Sequence, residues 1–227
     1  MKKNWNGFAK KSIQERLEFV KSQALTSMEA QESLEQNENL SIAVADQLSE
    51  NVVGTFSLPY SVVPEVLVNG QEYTVPYVTE EPSVVAAASF ASKIIKRAGG
   101  FTAQVHQRQM IGQVALYQVP DRDKACQAIL SQKAELLEQA NQAYPSIVKR
   151  GGGARELTVE KISGEADFLV VYLHVDTQEA MGANMLNTML EALKPSLEAL
   201  SQGQSLMGIL SNYATDSLVT ATCRIAF

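Results

Sequence analysis

The chain has 227 residues, 45% of them hydrophobic, enough for one large domain or two small ones around a packed core. A net charge of −6 and a pI near 5.1 argue against nucleic acid or an anionic membrane as the main partner. Two cysteines, Cys126 and Cys223, make no disulfide framework and fit a reducing, cytoplasmic compartment. No apolar run is long enough to span a bilayer, and residues 1–11 are not followed by the apolar stretch of a signal peptide.

In chain order, Ser12-Ile13-Gln14-Glu15 is a capping box, and Leu17, Val20 and Ala24 follow it at helical spacing. Thr26-Ser27-Met28-Glu29 opens a second short helix, and residues 41–51 read as a third. Asn69-Gly70 between two strand-like runs, 65–68 and 71–75, predicts a two-residue hairpin, because both residues tolerate positive φ. Glu80-Glu81-Pro82-Ser83 comes next. Pro82 suits the first position of a helix, and no charge follows until Lys93. The small-residue helix is therefore expected to be buried, with Lys93, Lys96 and Arg97 near its end and Gly99-Gly100 closing it.

From residue 109 the pattern changes. The spacing predicts a strand over 109–119 and one long helix over 121–143 that presents Ala125, Ile129, Leu136 and Leu137 inward and stops before Pro145. Gly151-Gly152-Gly153 reads as a flexible turn. Strands over 155–163 and 167–176 share a tight Gly164-Glu165-Ala166 connection, a helix covers 184–200, and a strand covers 205–211. The order β-α-β-β-α-β is that of a ferredoxin-like unit. Residues 217–227 alternate in strand fashion, with Val219, Ala221, Cys223, Ile225 and Phe227 on one face. A strand that looks buried and stops at Phe227 suggests a truncated product.

Four stretches could carry chemistry. In Glu80-Glu81, burial would raise a carboxylate's pKa and a helix N-terminus would lower it, so one glutamate is a candidate proton donor with Ser83 bonding substrate. The alternative is a pair of solvated acids favoured by the helix dipole. Ala180-Met181-Gly182-Ala183-Asn184 joins a strand to a helix N-terminus, where small residues allow close backbone approach and free N–H groups can meet a phosphate, or it is an ordinary cap. It is not a Gly-x-Gly-x-x-Gly fingerprint. Lys149, Arg150 and Arg155 around three glycines could hold an anion or be a solvated turn. Asn212, ending a buried strand, could orient substrate or cap a turn. His106 and His174 read as structural, the Met181, Met185, Met189 spacing reads as core, and no metal-ligand spacing exists.

Seven segments, in order, resemble those of the class II 3-hydroxy-3-methylglutaryl-coenzyme A (HMG-CoA) reductases. They are Glu50-Asn51-Val52-Val53-Gly54, Asn69-Gly70 with Val75-Pro76, Glu80-Glu81-Pro82-Ser83, Gly99-Gly100-Phe101, Gly151-Gly152-Gly153, Ala180-Met181-Gly182-Ala183-Asn184 and Leu210-Ser211-Asn212. The resemblance implies an α+β fold in which a helical and hairpin large domain that binds substrate holds an inserted ferredoxin-like dinucleotide-binding domain. It implies residues 1–107 and 213–227 for the large domain and 108–212 for the small one. It also implies reduction of HMG-CoA to mevalonate and CoA with two hydrides. Glu81 would be the proton-transferring residue, Ser83 and Asn212 would touch substrate, and residues 180–184 would bind the dinucleotide.

The Glu50–Gly54 segment implies a homodimer with shared sites, and neither nucleic acid nor membrane is an expected partner. Tyr144 stands where NAD-preferring members carry an acid. With Lys149 and Arg150 nearby, this favours NADPH over NADH, without a metal. The family's catalytic lysine, aspartate and histidine would lie beyond Phe227, so the stretch alone is expected not to turn over. The alternatives are a non-catalytic dinucleotide- or CoA-binding and dimerisation module, or an NADH-linked mevalonate-oxidising enzyme.

Overall fold

Asn69 and Gly70 have φ of +50° and +81°, the turn that joins β1 (Tyr60–Val68) to β2 (Gln71–Val78) in a hairpin. A computed structural model describes residues 4–25, 27–36, 40–164 and 167–226. Thr26, the Glu165-Ala166 part of the predicted connection, and Phe227 lie outside the described residues. The chain forms two compact units, residues 1–103 with 221–227, and residues 104–220.

In the first unit, Ser12 and Glu15 form the capping box of α1 (Ile13–Ser22). Ser41 caps α3 (Ile42–Leu48), which follows α2 (Met28–Gln36). The hairpin carries α4 (Val84–Arg97) on one face, over the buried Val63. Gly100 donates to the Ile95 carbonyl and Gly99, at φ +108°, to that of Lys96, closing α4 in a Schellman motif. Asn69 fastens the turn to the next strand: its side chain accepts from Ala103 N at 2.8 Å and donates to Ala103 O at 3.0 Å.

The second unit is the ferredoxin-like arrangement. Strand β3 (Thr102–Tyr117) precedes α5 (Arg122–Ser131), α6 (Lys133–Ala143) and the short α7 (Pro145–Lys149). Then come β4 (Gly153–Ile162), β5 (Phe168–Asp176), α8 (Ala183–Ser201) and β6 (Gln204–Leu210). The sheet order is β4-β5-β3-β6, with every one of these pairs antiparallel. Alternate β5 residues, Leu169, Val171, Leu173 and Val175, pack under the helices. In α8, Leu186, Met189, Leu190, Leu193 and Leu197 are fully buried. At about 1.5–3 kcal/mol each, they outweigh the roughly 3 kcal/mol that Pro195 costs inside the helix.

Four elements differ from expectation. The helix over 121–143 breaks at Gln132, whose N–H is shared between the Ala128 and Ile129 carbonyls before the ladder resumes at Leu136 N. Pro145 does not simply end it but starts α7. Strand β3 begins at Thr102, because β7 (Ser217–Thr222) pairs with it. The apolar face predicted for the C-terminal strand is not buried: all six β7 residues are exposed.

Candidate active site

In the first unit the turn before α4 presents the acid pair. Glu81 N donates to Thr79 Oγ1 at 3.2 Å, and both glutamates are solvent-exposed. The burial expected of this region does not occur: of the α4 side chains only Ser92 is buried, and Phe90 is exposed. Nor is Pro82 the first helical residue. It lies in the turn, and the cap is Ser83, at φ +74° and ψ −20°. Its carbonyl accepts from Ala87 N at 2.8 Å, while its hydroxyl makes no cap bond. A non-glycine residue held left-handed costs about 1–2 kcal/mol, and such strain concentrates at functional sites. The result is a free hydroxyl and two carboxylates on one exposed turn.

Behind that helix, Lys96 bridges Glu72 at 2.7 Å and Glu65 at 2.9 Å, and Glu65 sits at a bulge with φ +62°. The bonds to Glu72 and then Glu65 hold the Lys96 ammonium above its usual pKa, against a smaller opposing effect of burial.

In the second unit the loop between β5 and α8 is tightly built. Thr177 is buried; its hydroxyl donates to Ala180 O at 2.8 Å, and its carbonyl accepts from Ala180 N at 3.1 Å. Gly182 caps α8 at φ +93°, and a Cβ there would lie 2.4 Å from Thr177 Cγ2. Met181 is 72% exposed and precedes the helix, so it does not share the core position of Met185 and Met189. Ala183 and Asn184 form the first turn of α8, whose N–H groups face outward from the cap.

Two of the three glycines are packed, while Gly151, at φ +89°, has open space around it. A Cβ on Gly152 would lie 2.5 Å from the Asp176 carbonyl, and one on Gly153 would lie 2.5 Å from Asn141 Oδ1, which accepts from Ala154 N. Gly152 therefore sets the end of α7, with exposed Lys149 and the following Arg150, beside Asp176 at the root of the 177–182 loop. Arg150 Nε donates to Ser146 O, Arg155 approaches Asp176 at 3.7 Å, and Arg108 pairs with Glu179 at 3.0 Å. Tyr144 lies half-buried where α6 passes into α7.

Asn212 is exposed just past β6, next to the buried Ser211. Ser211 N donates to Ile111 O at 2.8 Å, and Asp176 stands opposite Gln109 on the other side of β3. Two residues along a strand are about 7 Å, so the Asn212 segment and the 177–182 loop leave the same end of one sheet, flanking β3. Glu81 and Ser83 belong to the first unit and Asn212, Tyr144, Lys149, Arg150 and residues 180–184 to the second.

Sequence reasoning passed over Thr177 and the pair of His174 Nδ1 with Asp216 at 2.6 Å, which anchors the segment after Asn212. A buried threonine ahead of a cap glycine is readable as a loop clamp; the His174–Asp216 contact is non-local and leaves no such signal. Among the described residues, no group of three or more His, Cys, Asp and Glu is placed to hold a metal ion, and no helix is long and apolar enough to cross a membrane.

The family model for hydroxymethylglutaryl-coenzyme A reductase matches residues 12–227. The chain is 39% identical over 219 residues to the 3-hydroxy-3-methylglutaryl-coenzyme A reductase of Archaeoglobus fulgidus, covering 95% of this chain and 49% of that protein. It is 29% identical to a probable reductase of Borreliella burgdorferi over 72% of this chain. The solved class II enzyme of Streptococcus pneumoniae, described as bound to NADPH in open conformations, superposes with a TM-score of 0.93 at 83% identity over 98% of this chain and 60% of that one. The chain thus spans between 37% and 60% of the length of these three relatives. With most of its length matched by the family model and by a class II structure, the chain belongs to the hydroxymethylglutaryl-coenzyme A reductase family, in its class II branch.

Proposed function

We propose that this chain supplies the glutamate turn and the dinucleotide loop of an enzyme that reduces HMG-CoA to mevalonate. The thioester, two NADPH and two protons give a primary alcohol, free CoA thiol and two NADP⁺. The observation that carries the reading is the tightly folded 177–184 loop on the N-terminus of α8, in a chain 83% identical to an enzyme solved with NADPH.

Residues 180–184 fit the dinucleotide by the small side chains of Ala180 and Ala183 and the N–H groups at the start of α8, and the left-handed Gly182 allows close approach. The dinucleotide supplies hydride when bound. Lys149 and Arg150, beside Tyr144 rather than an acid, suit the extra phosphate of NADPH. Glu81 gives a proton to, and takes one from, the substrate oxygen as the carbonyl becomes an alcohol. Ser83 bonds the hydroxymethylglutaryl group, Asn212 orients it, and Glu80 is support. The lysine, aspartate and histidine that complete the site come from outside these 227 residues, so this stretch alone does not turn over.

A homodimer is part of the same reading. Leu48 and Phe56 are exposed on an open groove that Leu40, Ala45, Glu50, Val52 and Gly54 also line, and Val53 of the Glu50–Gly54 segment is fully exposed. Residence in the cytoplasm rests on cysteine usage, since Cys126 and Cys223 are both free.

The test is kcat/KM for NADPH and for NADH in the full-length enzyme, with HMG-CoA as substrate. A higher value for NADPH is expected. A clear NADH preference with faster mevalonate oxidation would replace this reading by the degradative one.

A further inference from the structure

Strand β6 lies at the edge of the β4-β5-β3-β6 run, so alternate N–H groups point away from β3. Helix α8 meets two of them with side chains. Glu198 Oε1 accepts from Ser205 N at 2.9 Å, and Asn187 Oδ1 accepts from Leu210 N at 3.0 Å. The reach is short because two glycines admit α8: a Cβ on Gly112 would lie 2.7 Å from Leu190 Cδ1, and one on Gly208 3.3 Å from Leu190 Cβ. Leu210 is the last β6 residue and stands two positions before Asn212. The next amide, Ser211 N, is held on the opposite side by Ile111 O at 2.8 Å. The strand end is thus clamped from both flanks immediately before Asn212. One flank belongs to the helix whose first turn contains Ala183 and Asn184 of the dinucleotide loop.

We propose that Asn187 is a positioning residue: through Leu210 N it fixes the Leu210-Ser211-Asn212 segment against α8, so that substrate-orienting Asn212 and the dinucleotide loop keep one geometry. This rests on the role given to Asn212 above. In this role Asn187 acts through Leu210 N rather than by contact with either ligand. Losing its acceptor leaves a half-buried edge amide free to meet water, a small change for folding. It lets the strand end shift, and sub-ångström shifts in orientation are costly to rate.

The experiment compares Asn187→Leu, Asn187→Asp, Asn212→Ala and the Asn187→Leu/Asn212→Ala double variant in the full-length enzyme. It reads kcat and KM for HMG-CoA, NADPH affinity, and hydrogen exchange at Leu210 and Ser211. Asn187→Leu is expected to lower kcat/KM about tenfold, to speed exchange at Leu210, and to leave NADPH affinity unchanged. Asn187→Asp, which keeps the acceptor oxygen, should restore most of the activity, and Asn187→Leu should add little on the Asn212→Ala background. Three results overturn the proposal alone: a fully active Asn187→Leu beside an impaired Asn212→Ala, independent and multiplying effects in the double variant, or no rescue by Asn187→Asp. An Asn212→Ala enzyme as active as the parent defeats the assignment of Asn212, and this proposal with it.

Discussion

Gly182 and Thr177 are interlocked: the Cβ that Gly182 lacks would lie 2.4 Å from Thr177 Cγ2. The same glycine has φ +93°, a conformation that costs a residue with a Cβ about 1–2 kcal/mol. Gly182→Ala therefore suffers twice, and we expect weaker NADPH binding with a fall in stability of about 1–3 kcal/mol. Thr177→Ser removes the clashing methyl and keeps the hydroxyl bond to Ala180. Adding it to Gly182→Ala should recover part of the loss, measured as a double-mutant cycle on NADPH affinity. Strict additivity would show that the methyl contact is not what excludes a side chain there.

The glycine pair that closes α4 gives a graded prediction. At Gly99 a Cβ meets nothing within 4 Å, so Gly99→Ala carries only the cost of positive φ, about 1–2 kcal/mol. At Gly100 a Cβ would meet the Leu67 carbonyl oxygen at 2.8 Å and Leu67 Cγ at 2.7 Å, so Gly100→Ala should cost about 2–3 kcal/mol more. Denaturant unfolding of the two variants checks the order, and equal costs would contradict the close approach of the α4 terminus to β1.

Lys96, held by Glu72 and Glu65, makes stability depend on pH at the alkaline end. Its pKa is higher folded than unfolded, so the folded state binds the proton more tightly. The contribution is complete below the usual lysine value of about 10.4 and is lost as pH rises through the raised folded value. Lys96→Met should remove that loss, so the gap in thermal midpoint between parent and variant narrows above about pH 10.4. A gap that is constant from pH 8 to pH 11 would show that the ion pairs do not carry it.

The hairpin, the capping box of α1 and the Schellman closure of α4 were legible in the sequence because each is decided within a few residues by turn or cap chemistry. The ferredoxin-like order was legible because its strands and helices carry strong, distinct periods over Leu169–Val175 and Leu186–Leu197. The start of α4 was not. Local rules put Pro82 first in the helix, but the chain holds Ser83 left-handed, a conformation no propensity favours. The break at Gln132 carries no Gly or Pro. The first half of β3 is polar and exists by pairing with β7, more than a hundred residues away. For the site, spacing alone favoured a solvated cap acid over a proton donor at Glu81, because acids at helix starts are common. Its exposed turn and the flanking of β3 by Asp176 and Ser211 are tertiary facts with no local signature.

The central claim is that Glu81 transfers the proton. The most direct measurement is HMG-CoA-dependent NADPH oxidation by full-length Glu81→Gln beside Glu80→Gln and the parent, with NADPH affinity measured on each. We predict a loss of about 10²–10⁴-fold in kcat for Glu81→Gln, a milder loss for Glu80→Gln, and unchanged NADPH affinity in both. Parent-like turnover by Glu81→Gln would contradict the account.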